Sequence, residues 1–458
     1  MKLTAEDEAD LEGLWEYVNE GGMNMILRYK GPTKDRNVVA KSSDCGKAPG
    51  RVDSSWLESD SRFQQAVLQP VLEGYVAFGT LVEVSQSMVE RLNIEPSIQQ
   101  SRRPERLSAE VRDLDTSAVG GPPSFVWGTL CPDLTYCPQG RTYELKPKLG
   151  VEDCLLPECQ SLSRFTLLQC IDYPKRKRSI SRYNPSALFR AIFAGDGAAV
   201  SEQLGHLRRA SADPRQNNFR VLGGNACDAS DTELEDLKEV LLRARGVFAK
   251  LRAFGLLAAG AAVEEAAQEL YAAAGSPTQL GPEVFEEAFT HCGTVLLARL
   301  EADMDDGAAT ELVRRTYRDL RPQWGLALFL LGRSIQDASL VVNVRRMQPG
   351  ESLPSFRALR YEEADEVGQL IGRITVIDTD IKPADRIPQY ARTLRDYGSH
   401  RHVEHLRSFL KEGQNLDESL SSVQALLDRT LGSSDGALNR AYELEAMKDG
   451  DRIFHFPF

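Results

Sequence analysis

The sequence predicts an α+β protein. Three observations carry that prediction. Short alternating or apolar runs of strand type recur in the first 147 residues. From about residue 160 the pattern turns to helical periodicity. Between residues 325 and 377, apolar runs of strand type return, and two are shortly followed by an aspartate, Asp337 and Asp378. Strands at the front and a helix-rich remainder holding a few strands fit segregated helices and strands better than alternating βαβ units.

Size and charge narrow the class. The 458 residues suffice for two or three ordinary domains, and a hydrophobic content of 42% allows a large packed core. A net charge of −12 argues against general nucleic-acid binding but leaves room for a local basic pocket. The eight cysteines form no CxxC pair, and no signal peptide is recognised at the start. The expected setting is therefore reducing and intracellular, cytoplasmic or nuclear. The longest apolar run, residues 254–263, is too short for a bilayer and runs into Glu264, Glu265 and Gln268, so no membrane partner is expected.

In order along the chain, residues 5–19 are a short acidic segment with Trp15 and Tyr17 near its end. Asn19-Glu20-Gly21-Gly22-Met23-Asn24 then predicts a turn between two strands, the second covering 25–29. Unobstructed glycine amides in such a turn suit phosphates, though a plain hairpin uses the same residues. A strand at 38–41 ends on Lys41. Residues 56–93 show helical spacing with a break at 70–73, and 97–123 form a long irregular segment containing Arg106. Residues 125–130 read as a buried strand, and a further strand covers 142–147. Helices are expected at about 231–254, 261–274, 281–303 and 308–320. Strands are expected at 325–331, 338–344 and 372–377, and a final helical region at about 388–448.

The most unusual stretch is 143–150, Tyr-Glu-Leu-Lys-Pro-Lys-Leu-Gly. Pro147 cannot donate to a ladder, so the strand stops there or lies at an edge. Glu144, Lys146 and Lys148 share one face at spacing two. One carboxylate and two ammonium groups on a strand face suit phosphate binding, and an exposed edge strand is the plainer alternative. Asp337 and Asp378, each at the end of an apolar strand, suit Mg²⁺ binding and proton acceptance, though turns also place aspartate there. Lys382, Arg386 and Tyr390 follow at spacing four and share a face if the segment is helical. No GxxxxGK[ST], His-Arg-Asp or Asp-Phe-Gly occurs. His400, His402 and His405 lack an acid or cysteine at metal-binding spacing.

These pieces together resemble the inositol-pentakisphosphate 2-kinases. The resemblance rests on Glu144 to Lys148, on Arg164-Phe165, on Tyr183-Asn184-Pro185 with Leu188-Phe189, and on Gln216-Asn217-Asn218-Phe219-Arg220. It continues through Gln336-Asp337-Ala338-Ser339 and through Asp378, Lys382, Pro383, Arg386 and Tyr390, with Glu20 to Asn24 near the front. It implies two lobes distantly like a protein kinase: a small mixed α/β amino lobe, 1–134, and a larger, mostly helical carboxy lobe with a central sheet, 135–458. It implies transfer of the ATP γ-phosphate to the axial 2-hydroxyl of inositol pentakisphosphate, giving inositol hexakisphosphate. By resemblance, Asp337 is the base and Asp378 a Mg²⁺ ligand. Lys148, Asn217, Arg220, Lys382, Arg386, Tyr390 and, in a looser alignment, Arg106 hold substrate phosphates. Gly21, Gly22, Asn24, Lys41, Glu144 and Lys146 serve the nucleotide. A monomer without zinc is expected. Asp172 stands where the resemblance expects a substrate lysine, and the basic run 175–178 is a candidate substitute. A non-catalytic inositol polyphosphate binder and a related small-molecule kinase of different substrate are the alternatives.

Overall fold

A computed structural model describes residues 15–20, 24–29, 37–41, 61–72, 74–76, 80–85, 125–131, 134, 137, 140–148, 165, 169, 181–213, 216–222, 229–302, 305–346, 370–379 and 381–390. The chain divides into two units, Met1–Tyr136 and Cys137–Phe458. Helix and antiparallel strand are mixed, as an α+β reading requires.

The first unit holds a five-stranded antiparallel sheet in the order β1-β2-β3-β5-β4. Its strands are β1 (Trp15–Glu20), β2 (Asn24–Tyr29), β3 (Asn37–Lys41), β4 (Thr80–Ser85) and β5 (Phe125–Cys131). β1 and β2 pair antiparallel, with a register shift between Tyr17 and Asn19. In the next ladder Asn24 lies directly opposite Lys41. Of the helical spacing expected over 56–93, the described residues 61–72 are helical, ending in α1 (Gln69–Leu72), whereas 80–85 are the strand β4. The Leu-Val-Glu-Val run of β4 carries the alternation and branched side chains of a strand, which the wider helical spacing obscured.

The second unit is built around a four-stranded antiparallel sheet, order β7-β6-β8-β9. These are β6 (Gly140–Leu145), β7 (Phe219–Leu222), β8 (Ser339–Arg346) and β9 (Leu370–Ile377). β6 is therefore an inner strand, not an edge. Pro147 does not interrupt it, because the ladder already ends at Leu145.

The helices are α2 (Pro185–Ala194), α3 (Gly197–Ala210), α4 (Asp231–Arg243), α5 (Arg245–Leu256), α6 (Ala261–Ala273), α7 (Pro282–Ala288), α8 (Thr294–Glu301), α9 (Asp306–Asp319) and α10 (Pro322–Gln336). Their ends are legible in side-chain chemistry. Asn184 accepts from the N–H groups of Ser186 and Ala187, with Pro185 at the first helical position. Ser230 and Glu233 form a capping box on α4. A π-helical turn, Phe289–Gly293, joins α7 to α8 within the segment expected as one helix. No single helix among the described residues is long and apolar enough to cross a membrane.

α10 corrects a second expectation. Residues 325–331 were expected as a strand, and they form the buried middle of this helix. Every residue from Gly325 to Gln336 is buried against α5, α6 and α7. A helix wrapped on all sides loses its polar stripe, so its sequence is a continuous apolar run without helical period. Gly332 permits a close approach to the end of α5. A Cβ there would lie 2.9 Å from the Phe254 carbonyl oxygen and 2.9 Å from the Ala258 Cβ. Asp337 accordingly sits at the C-terminal end of a helix, before β8, and not after a strand.

Candidate active site

The site lies where β6 and β9 end and β8 begins. β6 carries Glu144 between Arg220 on β7 and Val341 on β8. Arg220 Nη1 reaches Glu144 Oε2 at 3.5 Å. One step on, the Lys146 N–H donates to the Asn218 carbonyl at 2.9 Å. Asn218 is buried, its side chain donates to Gln216 Oε1 at 3.2 Å, and Asn217 lies between the two. The segments 144–148 and 216–220 are thus stitched side by side, through backbone and side chains together.

Two aspartates meet three lysines here. β8 begins at Ser339, directly opposite Ile377, so Asp378 emerges beside Ser339. Ser339 Oγ donates to Asp378 Oδ2 at 2.9 Å, and Lys146 Nζ reaches the same oxygen at 3.4 Å. Asp337 takes two cations, Lys148 Nζ at 3.8 Å from Oδ1 and Lys382 Nζ at 3.7 Å from Oδ2. The lysines are well covered, with the Lys146 side chain 9% exposed, whereas the side chains of Asp378 and Asp337 are 50% and 38% exposed. Three ammonium groups against two carboxylates leave one positive charge in excess in a chain of net charge −12.

Burial pushes Asp337 upward, but Lys148, then Lys382, Lys146 and Arg333, outweigh it and hold its pKa below the ordinary aspartate value. Burial lowers Lys148, Asp337 raises it, and Lys146 and Lys382 lower it further, for a net fall. The lysine is thus short of negative charge and the carboxylate is saturated with positive charge. A polyanion entering the cluster relieves the first and competes for the partners of the second.

The backbone at the site is strained. Lys148 has φ 57° and Asp378 has φ 61°, two of the three non-glycine residues with positive φ among the described residues. Each costs on the order of 1 kcal/mol. Lys148 leaves the extended path right after Pro147, so the spacing-two argument applies to it only loosely, yet it joins the same cluster.

The segment after β9 is not one continuous helix. Lys382 precedes a short 3-10 turn, Ala384–Arg386, and reaches back to Asp337. Tyr390 lies further on, its ring centroid 4.6 Å from the Arg333 guanidinium and 6.3 Å from the Phe329 ring. Burial pushes the Tyr390 phenol up, Arg333 and Arg386 pull it down, and Asp337 and Asp385 add to the rise, so these groups share one field. The N–H groups of Ala384 and Asp385 both donate to the Thr278 carbonyl, at 3.1 and 3.3 Å, which ties the segment to the loop after α6.

Three contributors had no role assigned from sequence. Ser339 orients Asp378, and its place directly after Asp337-Ala338 was the available signal. Tyr183, buried, donates its hydroxyl to the Pro147 carbonyl at 2.9 Å and meets the Phe165 ring edge-on at 5.7 Å. The Tyr-Asn-Pro motif therefore caps α2 and braces the turn before Lys148. Arg333 had no sequence signal, since it sits inside an apolar run. Gly21, Gly22, Arg106, Arg164, Asp172, residues 175–178 and His400, His402 and His405 lie outside the described residues. Asn24 and Lys41 are opposite each other at one end of β2 and β3.

For Mg²⁺, Asp378 is the suitable donor. Both its contacts fall on Oδ2, and half of the side chain is exposed. Among the described residues no three His, Cys, Asp or Glu side chains gather as a cage. One carboxylate working together with nucleotide phosphates is the usual arrangement for Mg²⁺, so the donor set fits.

A family model described as Inositol-pentakisphosphate 2-kinase matches residues 17–396, more than four-fifths of the chain. The match spans every residue of the cluster. A search of curated proteins found no match.

Proposed function

Because this chain belongs to the inositol-pentakisphosphate 2-kinase family, we propose that it transfers the ATP γ-phosphate to the axial 2-hydroxyl of inositol pentakisphosphate, giving inositol hexakisphosphate. The observation that carries the reading is the single cluster of Asp337, Asp378, Lys146, Lys148 and Lys382 at the strand ends. A pentakisphosphate needs several cations in one place, and phosphoryl transfer needs a hydroxyl acceptor and a metal ligand beside them.

In this reading Lys148, Lys382, Arg386, Arg220, Asn217 and Tyr390 bind substrate phosphates. Asp337 is ionised at neutral pH and accepts the hydrogen of the 2-hydroxyl. The hydroxyl oxygen forms the new bond to the γ-phosphorus, and the bond to the β,γ-bridging oxygen breaks, releasing ADP. Substrate phosphates draw Lys148 and Lys382 toward themselves, which raises the basicity of Asp337 when it is needed. Asp378 would hold Mg²⁺, which would supply charge neutralisation on the transferred group. Lys146 and Glu144 serve ATP. Catalysis is then mainly positioning and charge neutralisation.

The test is incubation with ATP, Mg²⁺ and a panel of inositol phosphates, with products identified by position. Phosphorylation at the 2-position of the pentakisphosphate is expected. Inactivity of folded protein there, with turnover of an unrelated alcohol, overturns the reading.

A further inference from the structure

Behind the cluster sits a charge that neither the motifs nor the proposed reaction employs. Arg333 is 7% exposed and is ion-paired with Glu264 of α6, whose side chain is 1% exposed. Burying such a pair is costly, and packed apolar residues of similar volume often do as well or better for stability alone. The pair therefore calls for a reason besides folding.

The partners of Arg333 supply one. Its Nη1 donates to Gln336 Oε1 at 2.8 Å, the residue immediately before Asp337. Gln336 in turn donates through Nε2 to the carbonyls of Ala258 at 3.2 Å and Gly255 at 3.4 Å, fixing the last turn of α10 to the end of α5. The guanidinium also lies 4.6 Å from the centroid of Tyr390 and 5.2 Å from that of Phe329. One planar, permanently charged group thus touches the helix end that presents Asp337 and the ring of Tyr390, two residues of the proposed site on separate segments. Arginine suits this better than lysine, because its fork makes directed hydrogen bonds while its face stacks on an aromatic ring.

We propose that Arg333, held by Glu264, is a positioning residue that sets Tyr390 and the Gln336–Asp337 helix end in register for the inositol phosphate. The proposal rests on the functional reading above. It assigns Arg333 no contact with substrate. Its effect passes through Tyr390 and Asp337, so loss of Arg333 raises KM for the inositol phosphate and lowers kcat, while KM for ATP stays unchanged.

The test must separate positioning from folding, since Arg333→Met alone removes the ion-pair partner of a buried Glu264. The double variant Arg333→Met/Glu264→Leu removes both charges. It is expected to recover the thermal midpoint lost in the single variant, yet to keep a loss of about tenfold or more in kcat/KM for inositol pentakisphosphate. Arg333→Lys, which keeps charge but not the planar fork, is expected to keep stability better than activity. Recovery of wild-type kcat/KM together with stability in the double variant would overturn the proposal. A second readout stands apart from turnover. The ring resonance of Tyr390, identified by its absence in Tyr390→Phe, should move in the double variant, and an unmoved resonance overturns the proposal. If the wild type acts on no inositol phosphate, the functional reading fails, while the resonance still decides whether Arg333 positions Tyr390.

Discussion

Two groups of buried charge in the second unit are built on opposite rules. Glu264 and Arg333 form an ion pair in a nearly dry interior, 1% and 7% exposed. A few residues away, Asp337 and Asp378 meet three lysines, and both carboxylates remain open to solvent at 38% and 50%. The first group is neutral and closed. The second carries surplus positive charge, sits on strained backbone at Lys148 and Asp378, and leaves cations spaced 3.4–3.8 Å from their carboxylates instead of in short, directed contacts. A closed pair of this kind fixes the geometry of the groups it touches. Loose, over-cationic clusters hold a place for an anion.

The difference is testable by breaking each group. The largest effect is expected on turnover from Asp337→Asn. Removing an acceptor that acts in the transition state costs about 10²–10⁴-fold in kcat, with the affinity for inositol pentakisphosphate little changed. Equal losses in affinity and kcat, in steady-state kinetics with calorimetry, would make Asp337 a binding residue. Asp378→Asn should lower both rate and ATP–Mg²⁺ affinity, each by roughly tenfold or more, because a Mg²⁺ ligand acts on the bound nucleotide too. Unchanged ATP–Mg²⁺ affinity with near-normal rate would remove it from the metal site.

Stability separates the groups in the opposite sense. Arg333→Met should destabilise by about 3–5 kcal/mol, because it removes the cationic partner of a buried carboxylate. Lys382→Met should cost less than about 1 kcal/mol, because its partner Asp337 remains solvated. Denaturant unfolding of both variants measures this contrast, and similar losses would erase the distinction.

Strands β2, β3, β5, β8 and β9, and most helices of the second unit, were legible from sequence because each carries one clear period or cap. β6 was legible as a strand but not as an inner one, since its charged face looked exposed until Arg220, Asp378 and Asp337 were seen to offset it. α10 was misread because burial on every side erased its period, although Pro322 at its first position marked a helix start. The cluster's members were named from motifs, but not its pairing. Which lysine faces which aspartate depends on the β8–β9 register and on the turn at Lys148, and neither is written locally. Arg333 was invisible for the reason α10 was.

The smallest expected effect is on pH dependence. The Asp337 pKa is lowered in the folded protein, so its ion pairs add stability above the ordinary aspartate value and lose it as pH falls through the depressed one. Lys148→Ala removes the largest of the lowering charges and leaves burial, which raises the pKa. The acid loss of stability should therefore begin at higher pH in the variant, seen as thermal midpoints recorded down an acid series. An identical acid limb would mean that Lys148 does not hold Asp337 ionised.

The central claim is that the lysines are kept for a ligand and not for the fold. Calorimetric titration of Lys148→Ala/Lys382→Ala with inositol pentakisphosphate tests it most directly, with the thermal midpoint of the same sample as the control. Each lost charge-assisted contact is worth about 1.5–3 kcal/mol, so Kd should rise by roughly a hundredfold or more while the midpoint stays close to wild type. An unchanged Kd with a collapsed midpoint would show that these lysines serve the fold and that the anion binds elsewhere.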